Sequence, residues 1–300
     1  MSEPALIQSN AAVKAYPCTR ASGFCNMLDV FWGTVIIAFG NLFYLENVMR
    51  FRFAVIVCLL GVMSVCFCGC DAQPTAGEIA FAEVAAKSHS ALLPETQKAS
   101  WAQSWWMPRH NEINERVAQG NVDLIMIGDS ITHHWDKELW AKYYEPRNAV
   151  NMGFGGDRTQ HVLWRLGNGH LDGIDPKLAV VMIGTNNSGA NTAEEIADGI
   201  IAICGKVRTK LPKTKILLLA IFPRGEKPYA RREKNATASE IASKIADGKM
   251  IHYMNINDKF LAADGTLSRE IMKDLVHPSK NGYGIWAEAV EPKIAELMGE

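Results

Sequence analysis

Cysteine is almost missing from the chain beyond residue 70. Of the 7 cysteines in the 300 residues, only Cys204 lies within residues 71–300. This part of the chain can therefore form no internal disulfide and must be stabilised by its own hydrophobic core. The pattern fits a reducing compartment, and it fits equally well an exported domain that is large enough to fold without cross-links.

An excess of charge of either sign is also lacking. The 31 basic and 32 acidic residues give a formal net charge of -1, whereas nucleic-acid-binding proteins usually carry a strong positive patch. We therefore expect no nucleic-acid partner. Repeats and low-complexity tracts are absent from residues 101–300 as well. A content of 48% hydrophobic and 21% charged residues is typical of a globular protein.

The N-terminal part of the sequence resembles an export signal. In residues 49–70, Arg50 and Arg52 precede an apolar run that ends in small residues and Cys70, which is the layout of a signal peptide. A lipoprotein signal would place lipid on Cys70, and we expect an exported, membrane-anchored extracytoplasmic protein. If translation starts at Met49, residues 1–48 are an upstream or poorly ordered extension. The alternative is a start at Met1, with two membrane segments over 31–44 and 53–67.

The next two segments connect this signal to the body of the protein. Residues 71–100 are rich in Ala, Ser, Glu and Lys without a long apolar period, and they are interpreted as a tether. Residues 101–119 place Trp105, Trp106, His110 and Ile113 at helical spacing. This helix is expected to pack on the core, although its aromatic side chains are also suited to the rim of a ligand cleft.

Short apolar runs alternate with helical patterns from Gly120 onward. Strands are predicted over 122–127, 149–152, 178–183, 216–222 and 251–256. Helices are predicted over 137–143, 159–166, 193–211, 231–245 and 283–298. The alternation indicates an α/β fold over residues 101–300, with a parallel sheet covered by helices on both faces. Ligands of such sheets bind beyond the carboxyl ends of the strands.

Three strand ends carry residues suited to ester chemistry. The first strand runs into Gly128-Asp129-Ser130, which places a serine at a strand-to-helix turn. The second ends in Gly153-Phe154-Gly155-Gly156-Asp157, where a backbone N–H can approach a substrate. The third ends in Gly184-Thr185-Asn186-Asn187, which supplies an uncharged amide donor. Each motif taken alone also occurs as an ordinary cap or turn.

A carboxylate and an imidazole lie close together near the C-terminus, in Asp274-Leu275-Val276-His277-Pro278. An aspartate that fixes one ring nitrogen leaves the other to act as a base near neutral pH. Together with the strand ends, this pair predicts a catalytic triad of Ser130, His277 and Asp274. The predicted oxyanion donors are the N–H groups of Ser130 and Gly156 and the amide of Asn186.

These four blocks resemble those of the SGNH (GDSL-type) hydrolases, whose name-giving residues match Ser130, Gly156, Asn186 and His277. The run from Gly153 to Gly169 is similar to the catalytic subunits of intracellular platelet-activating-factor acetylhydrolases, as are residues 184–187, 223–225 and 232–235. The resemblance implies a three-layer, flavodoxin-like fold with five parallel strands. It also implies hydrolysis of short acyl groups, such as acetyl, from oxygen esters, with neither a metal nor an organic cofactor.

The resemblance leaves the substrate open. Pro278 stands where these relatives usually have leucine, and they are cytosolic, so the acyl acceptor cannot be carried over. Bacterial members of this type often resemble carbohydrate acetylesterases, and the acceptor is expected to be a carbohydrate or a lipid. Further residues next to the motifs are candidates for lining the substrate cleft: Asp129, Asp157, Asn187 and Arg224. The oligomeric state is not predicted.

Two other functions stay open at this point. A metal-dependent phosphoesterase would use carboxylates and Asn186 at the strand ends, but the sequence lacks an early Asp-x-His motif. The adjacent His133 and His134 are expected to point in different directions. A non-catalytic carbohydrate-binding module on the same scaffold is the second alternative. His161 and Trp164 are interpreted as packing residues, with His161 a candidate for lining the cleft.

Overall fold

A computed structural model describes residues 74–300. The predicted signal segment, Cys70 and the extension over 1–48 lie outside these residues. Within residues 74–300, no helix has both the length and the apolar character that crossing a membrane requires.

The described chain forms a parallel sheet enclosed by helices. The strands are β1 (Leu124–Gly128), β2 (Ala149–Gly153), β3 (Leu178–Met182), β4 (Lys215–Leu219) and β5 (Ile251–Met254). The helices are α1 (Ala76–Ala85), α2 (Trp106–Ala118), α3 (Ser130–His133), α4 (Lys137–Tyr143), α5 (Thr159–Gly167), α6 (Ala193–Lys210), α7 (Ala230–Ser243) and α8 (Lys280–Met298). Short 3₁₀ turns cover Ser100–Ala102, Glu145–Arg147, Thr185–Gly189 and Asn257–Phe260.

All strand pairs are parallel, in the order β2-β1-β3-β4-β5. Alternate residues of β1 face opposite sides of the sheet. Ile125 and Ile127 join a core with α2, α5 and α6, whereas Leu124 and Met126 join a second core that includes Trp286 of α8. This is the predicted three-layer α/β/α architecture. The interior strand β1 is buried on both faces, which explains its continuous apolar run.

The order of the strands determines which chain ends meet. Gly128, the last residue of β1, is in register with Gly153 of β2 on one side and with Met182 of β3 on the other. The segments that follow these three strands therefore leave the sheet side by side. This arrangement brings the three predicted motifs to one edge of the sheet.

The interpretation of residues 71–100 as a tether is wrong for residues 76–100, which pack on the domain. Helix α1 begins with a reciprocal capping box between Thr75 and Glu78 and packs on α6. Behind it, Lys87 and His89 both contact the carboxylate of Asp198, at 2.7 and 3.1 Å. Sequence patterns do not reveal this helix because it is stabilised by its cap and by polar contacts and has no long apolar stripe.

Candidate active site

The turn after β1 holds Ser130 at the start of a helix. Ser130 is the first residue of α3 and is 7% exposed, so its N–H has no partner within the helix. The Asp129 side chain caps α3 by accepting the N–H of Ile131 at 2.9 Å. A Cβ at Gly128 would lie 2.6 Å from the carbonyl oxygen of Met182. Only glycine therefore allows β1 and β3 to approach this closely below the serine.

His277 lies between Ser130 and Asp274. Its Nε2 is 2.8 Å from Ser130 Oγ, and its Nδ1 is 2.6 Å from Asp274 Oδ2. The other oxygen of Asp274 accepts the backbone N–H groups of His277 and Val276, at 2.7 and 3.0 Å. The carboxylate therefore holds both the ring and the backbone of His277. Pro278 does not prevent this arrangement.

The electrostatics of Asp274 favour its role as a fixed acceptor. Burial by itself would raise the pKa of this carboxyl group. The hydrogen bonds from the backbone and ring of His277 outweigh that effect and lower the pKa of Asp274 to about 2. Because an ionised carboxylate only accepts hydrogen bonds, Nδ1 of His277 carries the proton and Nε2 is left to accept the hydroxyl of Ser130.

The loop after β2 presents a backbone donor at the same edge. Gly156 has a φ of +69°, and a Cβ there would collide with the indole ring of Trp101. Its N–H donates to no group in the described part of the chain. The loop is held by His133, whose Nδ1 accepts the N–H of Gly155 at 3.2 Å. Burial, reinforced by Arg109, lowers the pKa of His133 to about 3, so this ring is a neutral acceptor at physiological pH.

Asn186 connects the loop after β3 to the loop after β2. Its Nδ2 donates to the carbonyl oxygen of Asp157 at 2.9 Å, and its side chain is half-buried. One amide hydrogen is used in this bond, and the second is available to a ligand. The structure thus brings Ser130, His277 and Asp274 into hydrogen-bond contact, and it ties the predicted donor Asn186 to the Gly156 loop.

Three of the four predicted cleft residues are fully buried and bind internal partners instead. The carboxylate of Asp157 accepts hydrogen bonds from Nε1 of Trp106 at 2.7 Å and from Nε of Arg165 at 2.8 Å. Asp129 caps α3, and burial raises its pKa to about 7. Asn187 accepts the N–H of Thr159 at 3.0 Å. The expectation that these three line a substrate cleft is therefore wrong.

Arg224, the fourth of these residues, is half-buried. It donates to the carbonyl and hydroxyl oxygens of Thr185 at 3.1 and 3.2 Å. The interpretation of Trp164 as a packing residue agrees with its position, whereas His161 is both buried and part of the lining of a cavity beside Gly156. His161 is buried, and Trp164 packs against the core that contains Trp106.

Of the aromatic side chains in residues 101–119, for which both core packing and a place at the rim of a cleft were open, Trp101 and Trp105 lie near the loop after β2, and Trp106 is buried in the core. The rings of Trp101 and Trp105 stack at 6.2 Å between centroids, and Trp105 lies 5.6 Å from His133. His133 and His134 also stack, at 4.6 Å, so the expectation that they point apart is wrong. In the sequence, this aromatic group is marked by two pairs of adjacent ring residues, Trp105-Trp106 and His133-His134. Only Trp106 of the first pair is buried in the core.

The carboxylates at the strand ends do not converge. In residues 74–300, no three His, Cys, Asp or Glu side chains are grouped as a metal ion would need. Asp129 and Asp157 are turned instead to the cap of α3 and to Arg165.

Comparison with known proteins connects this geometry to a family. The sequence model of the GDSL-like lipase/acylhydrolase family matches residues 126–285. The alpha2 subunit of platelet-activating factor acetylhydrolase IB from Rattus norvegicus is 37% identical over 216 residues, which cover 71% of this chain and 93% of the relative. The human alpha1 subunit is 36% identical over 197 residues, covering 65% of this chain and 85% of the relative.

Solved structures agree on the fold. The crystal structure of a GDSL-like lipase from Bacteroides thetaiotaomicron superposes with a TM-score of 0.50 at 21% identity, and the match covers 63% of this chain and 97% of that protein. The family match spans β1 through the first turns of α8, and thus includes Ser130, Gly156, Asn186, Asp274 and His277. The chain therefore belongs to the GDSL-like lipase/acylhydrolase family and is an ester-hydrolysing enzyme.

Proposed function

We propose that this enzyme hydrolyses short-chain oxygen esters, acetyl esters above all, with Ser130 as nucleophile, His277 as general base and acid, and Asp274 as the residue that orients His277. One observation carries the proposal. The atoms Ser130 Oγ, His277 Nε2, His277 Nδ1 and Asp274 Oδ2 form a continuous chain of hydrogen bonds with lengths of 2.8 and 2.6 Å. A hydroxyl in contact with the free nitrogen of an oriented imidazole is an activated nucleophile.

The reaction follows from this chain of contacts. Ser130 Oγ attacks the ester carbonyl carbon while its proton passes to Nε2 of His277. The imidazolium then gives that proton to the departing alcohol, which leaves an acyl group on Ser130. Water attacks the acyl-enzyme in the same way, with His277 first accepting and then returning a proton. The carboxylate of Asp274 stabilises the imidazolium in both halves of the reaction.

The negative charge on the substrate oxygen needs donors that are already in place. We assign them to the N–H groups of Ser130 and Gly156 and to Nδ2 of Asn186. Two features support this assignment: the N–H of a first helical residue and that of Gly156 are available, and Asn186 is oriented by its bond to Asp157. Donors fixed before the reaction stabilise charge that develops only in the transition state.

Acetyl is the acyl group we favour, because the relatives at 36–37% identity are named acetylhydrolases. The acyl acceptor belongs to the sugar or the lipid class. Export and anchoring through residues 49–70, with lipid on Cys70, are part of the same proposal and rest on the sequence pattern. The intact mass of the membrane-extracted protein separates a lipidated Cys70 from a retained N-terminus.

The nucleophile is tested with Ser130→Ala on p-nitrophenyl acetate. We expect kcat to fall about 10⁴-fold or more, with an unchanged circular dichroism spectrum and melting temperature. Ser243→Ala is the matched control, because Ser243 lies at the end of α7 and bonds only to the carbonyl of Glu240. Wild-type turnover by Ser130→Ala would contradict the assignment. Loss of wild-type activity on chelation would favour metal chemistry instead.

A further inference from the structure

A cavity of about 260 Å³ lies directly beside Gly156. It is enclosed by residues 95–101, which precede α2, and by residues 156–161, which lead into α5. One wall is the indole of Trp101, and polar side chains that include Glu95, Gln97 and Arg158 form the others. The cavity therefore combines one aromatic face with several hydrogen-bonding groups, next to the proposed oxyanion donor.

The walls of this cavity are held by hydrogen bonds to the Gly156 loop. Nε2 of Gln97 donates to the carbonyl oxygen of Gly156 at 3.3 Å, and Oε1 of Gln97 accepts the N–H of Ala99 at 3.1 Å. The N–H of Glu95 donates to the carbonyl oxygen of Gln160 at 3.4 Å. A ligand would thus meet a preformed site and would not have to order these segments on binding.

Trp101 is an exposed aromatic side chain in a fixed position. It is 56% exposed within the described chain. The edge of its six-membered ring lies against Gly156, and its ring stacks on Trp105. Its carbonyl oxygen also accepts Nε1 of Trp105 at 3.1 Å. An indole in this environment offers apolar surface to a ligand without losing mobility when the ligand binds.

The polar walls favour a hydroxylated ligand over a hydrocarbon chain. The hydrogen bond from Lys98 lowers the pKa of Glu95, so this wall is charged at neutral pH. Arg158 takes part in none of the ion pairs of residues 74–300, and its five N–H donors can serve a ligand. A lipid chain would desolvate the ion pair of Glu95 with Lys98 and would bury the guanidinium of Arg158 without giving it a partner, which is costly. A pyranose ring has an apolar C–H face for an indole and hydroxyl groups for the polar walls.

We propose that this cavity is a saccharide subsite, in which Trp101 stacks on a pyranose ring of the alcohol part of the ester and Arg158 binds its hydroxyl groups. The substrates of the enzyme are then O-acetylated saccharides. This inference rests on the proposed esterase function, because the subsite is useful only when the ester carbonyl reaches Ser130. It concerns the acceptor alone and can fail while the esterase mechanism stands.

The test compares two acetate esters that differ in the alcohol, a mono-O-acetylated methyl glucoside and ethyl acetate, which has no ring to stack. Acetate release gives kcat/KM for each. Trp101→Ala should lower the ratio of saccharide to ethyl acetate kcat/KM by ~10-fold, mainly through KM, with Trp101→Phe retaining most of it. Arg158→Met should lower the same ratio by a similar factor. Leu93→Ala is the matched control, since Leu93 is also 56% exposed and does not line the cavity.

Each outcome decides between defined alternatives. Equal losses on both esters would show that Trp101 only supports the Gly156 loop, and an unchanged ratio would remove Trp101 from acceptor binding; either result overturns the subsite. Ethyl octanoate is assayed as a third ester, and a loss confined to it would assign the cavity to an acyl chain and would overturn the subsite too. If the wild-type enzyme cleaves ethyl acetate but not the saccharide ester, the subsite fails and the esterase mechanism stands. Failure of the mechanism shows separately, as full turnover by Ser130→Ala.

Discussion

Asn186 and Asn187 share one 3₁₀ turn after β3 and are expected to respond in opposite ways to replacement by alanine. Asn186 is half-buried, and within residues 74–300 its side chain makes one hydrogen bond, from Nδ2 to the carbonyl oxygen of Asp157. Asn187 is fully buried. Its side-chain Oδ1 accepts the N–H of Thr159, and its Nδ2 donates to side-chain oxygens of Thr159, Gln160 and Asn191. In the proposed mechanism Asn186 donates to the substrate, whereas the contacts of Asn187 stabilise the fold.

The expected magnitudes follow from these contacts. Asn186→Ala removes one partly exposed hydrogen bond, which contributes about 1 kcal/mol to stability, and one donor to the oxyanion, which is worth about 10² to 10³-fold in kcat. Asn187→Ala leaves several buried groups without partners at about 1–3 kcal/mol each. We therefore expect it to lower the free energy of unfolding by about 2–5 kcal/mol.

Urea denaturation measures the change in stability, and steady-state kinetics on p-nitrophenyl acetate measure the change in kcat. Both are carried out well below the melting temperature. The turnover of Asn187→Ala is normalised to its folded fraction and should then stay near that of the wild type. A wild-type kcat in Asn186→Ala would remove this amide from the oxyanion site. If Asn187→Ala were as stable as the wild type, the four hydrogen bonds of the Asn187 side chain would contribute nothing to stability, and the division of roles between the neighbours would be refuted.

Three further predictions concern charged groups. Asp274→Asn should lower kcat by about 10⁴-fold, because an amide favours the wrong tautomer of His277, and pre-steady-state kinetics would show slow acylation. Asp129 has its ordinary pKa of 3.8 raised to about 7 by burial. The folded state therefore holds a proton that the unfolded state has lost, so stability should fall as pH rises from about 4 through about 7. Asp129→Asn, which keeps the cap, should flatten this dependence in urea titrations. Arg165→Met should destabilise the fold by about 3–5 kcal/mol, because it leaves the buried Asp157 with the hydrogen bond from Trp106 but without its charged partner; calorimetry measures the loss.

The interior strands β1 and β3 of the sheet could be predicted because they are short and fully buried. β1 and β3 are buried on both faces and appear as continuous apolar runs between polar turns. Their ends carry the motifs, so the parallel order alone placed Ser130 and Asn186 at one edge. The shared edge follows from topology, whereas the contact between Ser130 and His277 depends on how the last loop returns to the sheet.

Helix α1 and the cleft residues show what sequence patterns do not contain. α1 is a short helix whose stability comes from the capping box at Thr75 and from contacts with α6 that are distant in sequence. Asp157 looks like a cleft residue because it follows the Gly156 turn. The orientation of its side chain is set by the ion pair with Arg165, a fully buried residue of the following helix α5. A carboxylate next to a functional glycine has no local feature that tells whether it faces the ligand or the core.

The residues of the proposed chemical step and the aromatic wall of the proposed subsite come from different parts of the chain, whereas Arg158 of the subsite lies within the family region. Ser130, Gly156, Asn186, Asp274 and His277 all lie within residues 126–285, the region that matches the family. The aromatic wall of the cavity precedes that region, and its residues 95–101 contact the Gly156 loop through Gln97. Because this segment binds the backbone of the oxyanion loop and leaves the triad untouched, its sequence can change the preferred alcohol without altering the nucleophile. Exchanging residues 95–101 should therefore move specificity mainly through KM and leave acylation by Ser130 intact.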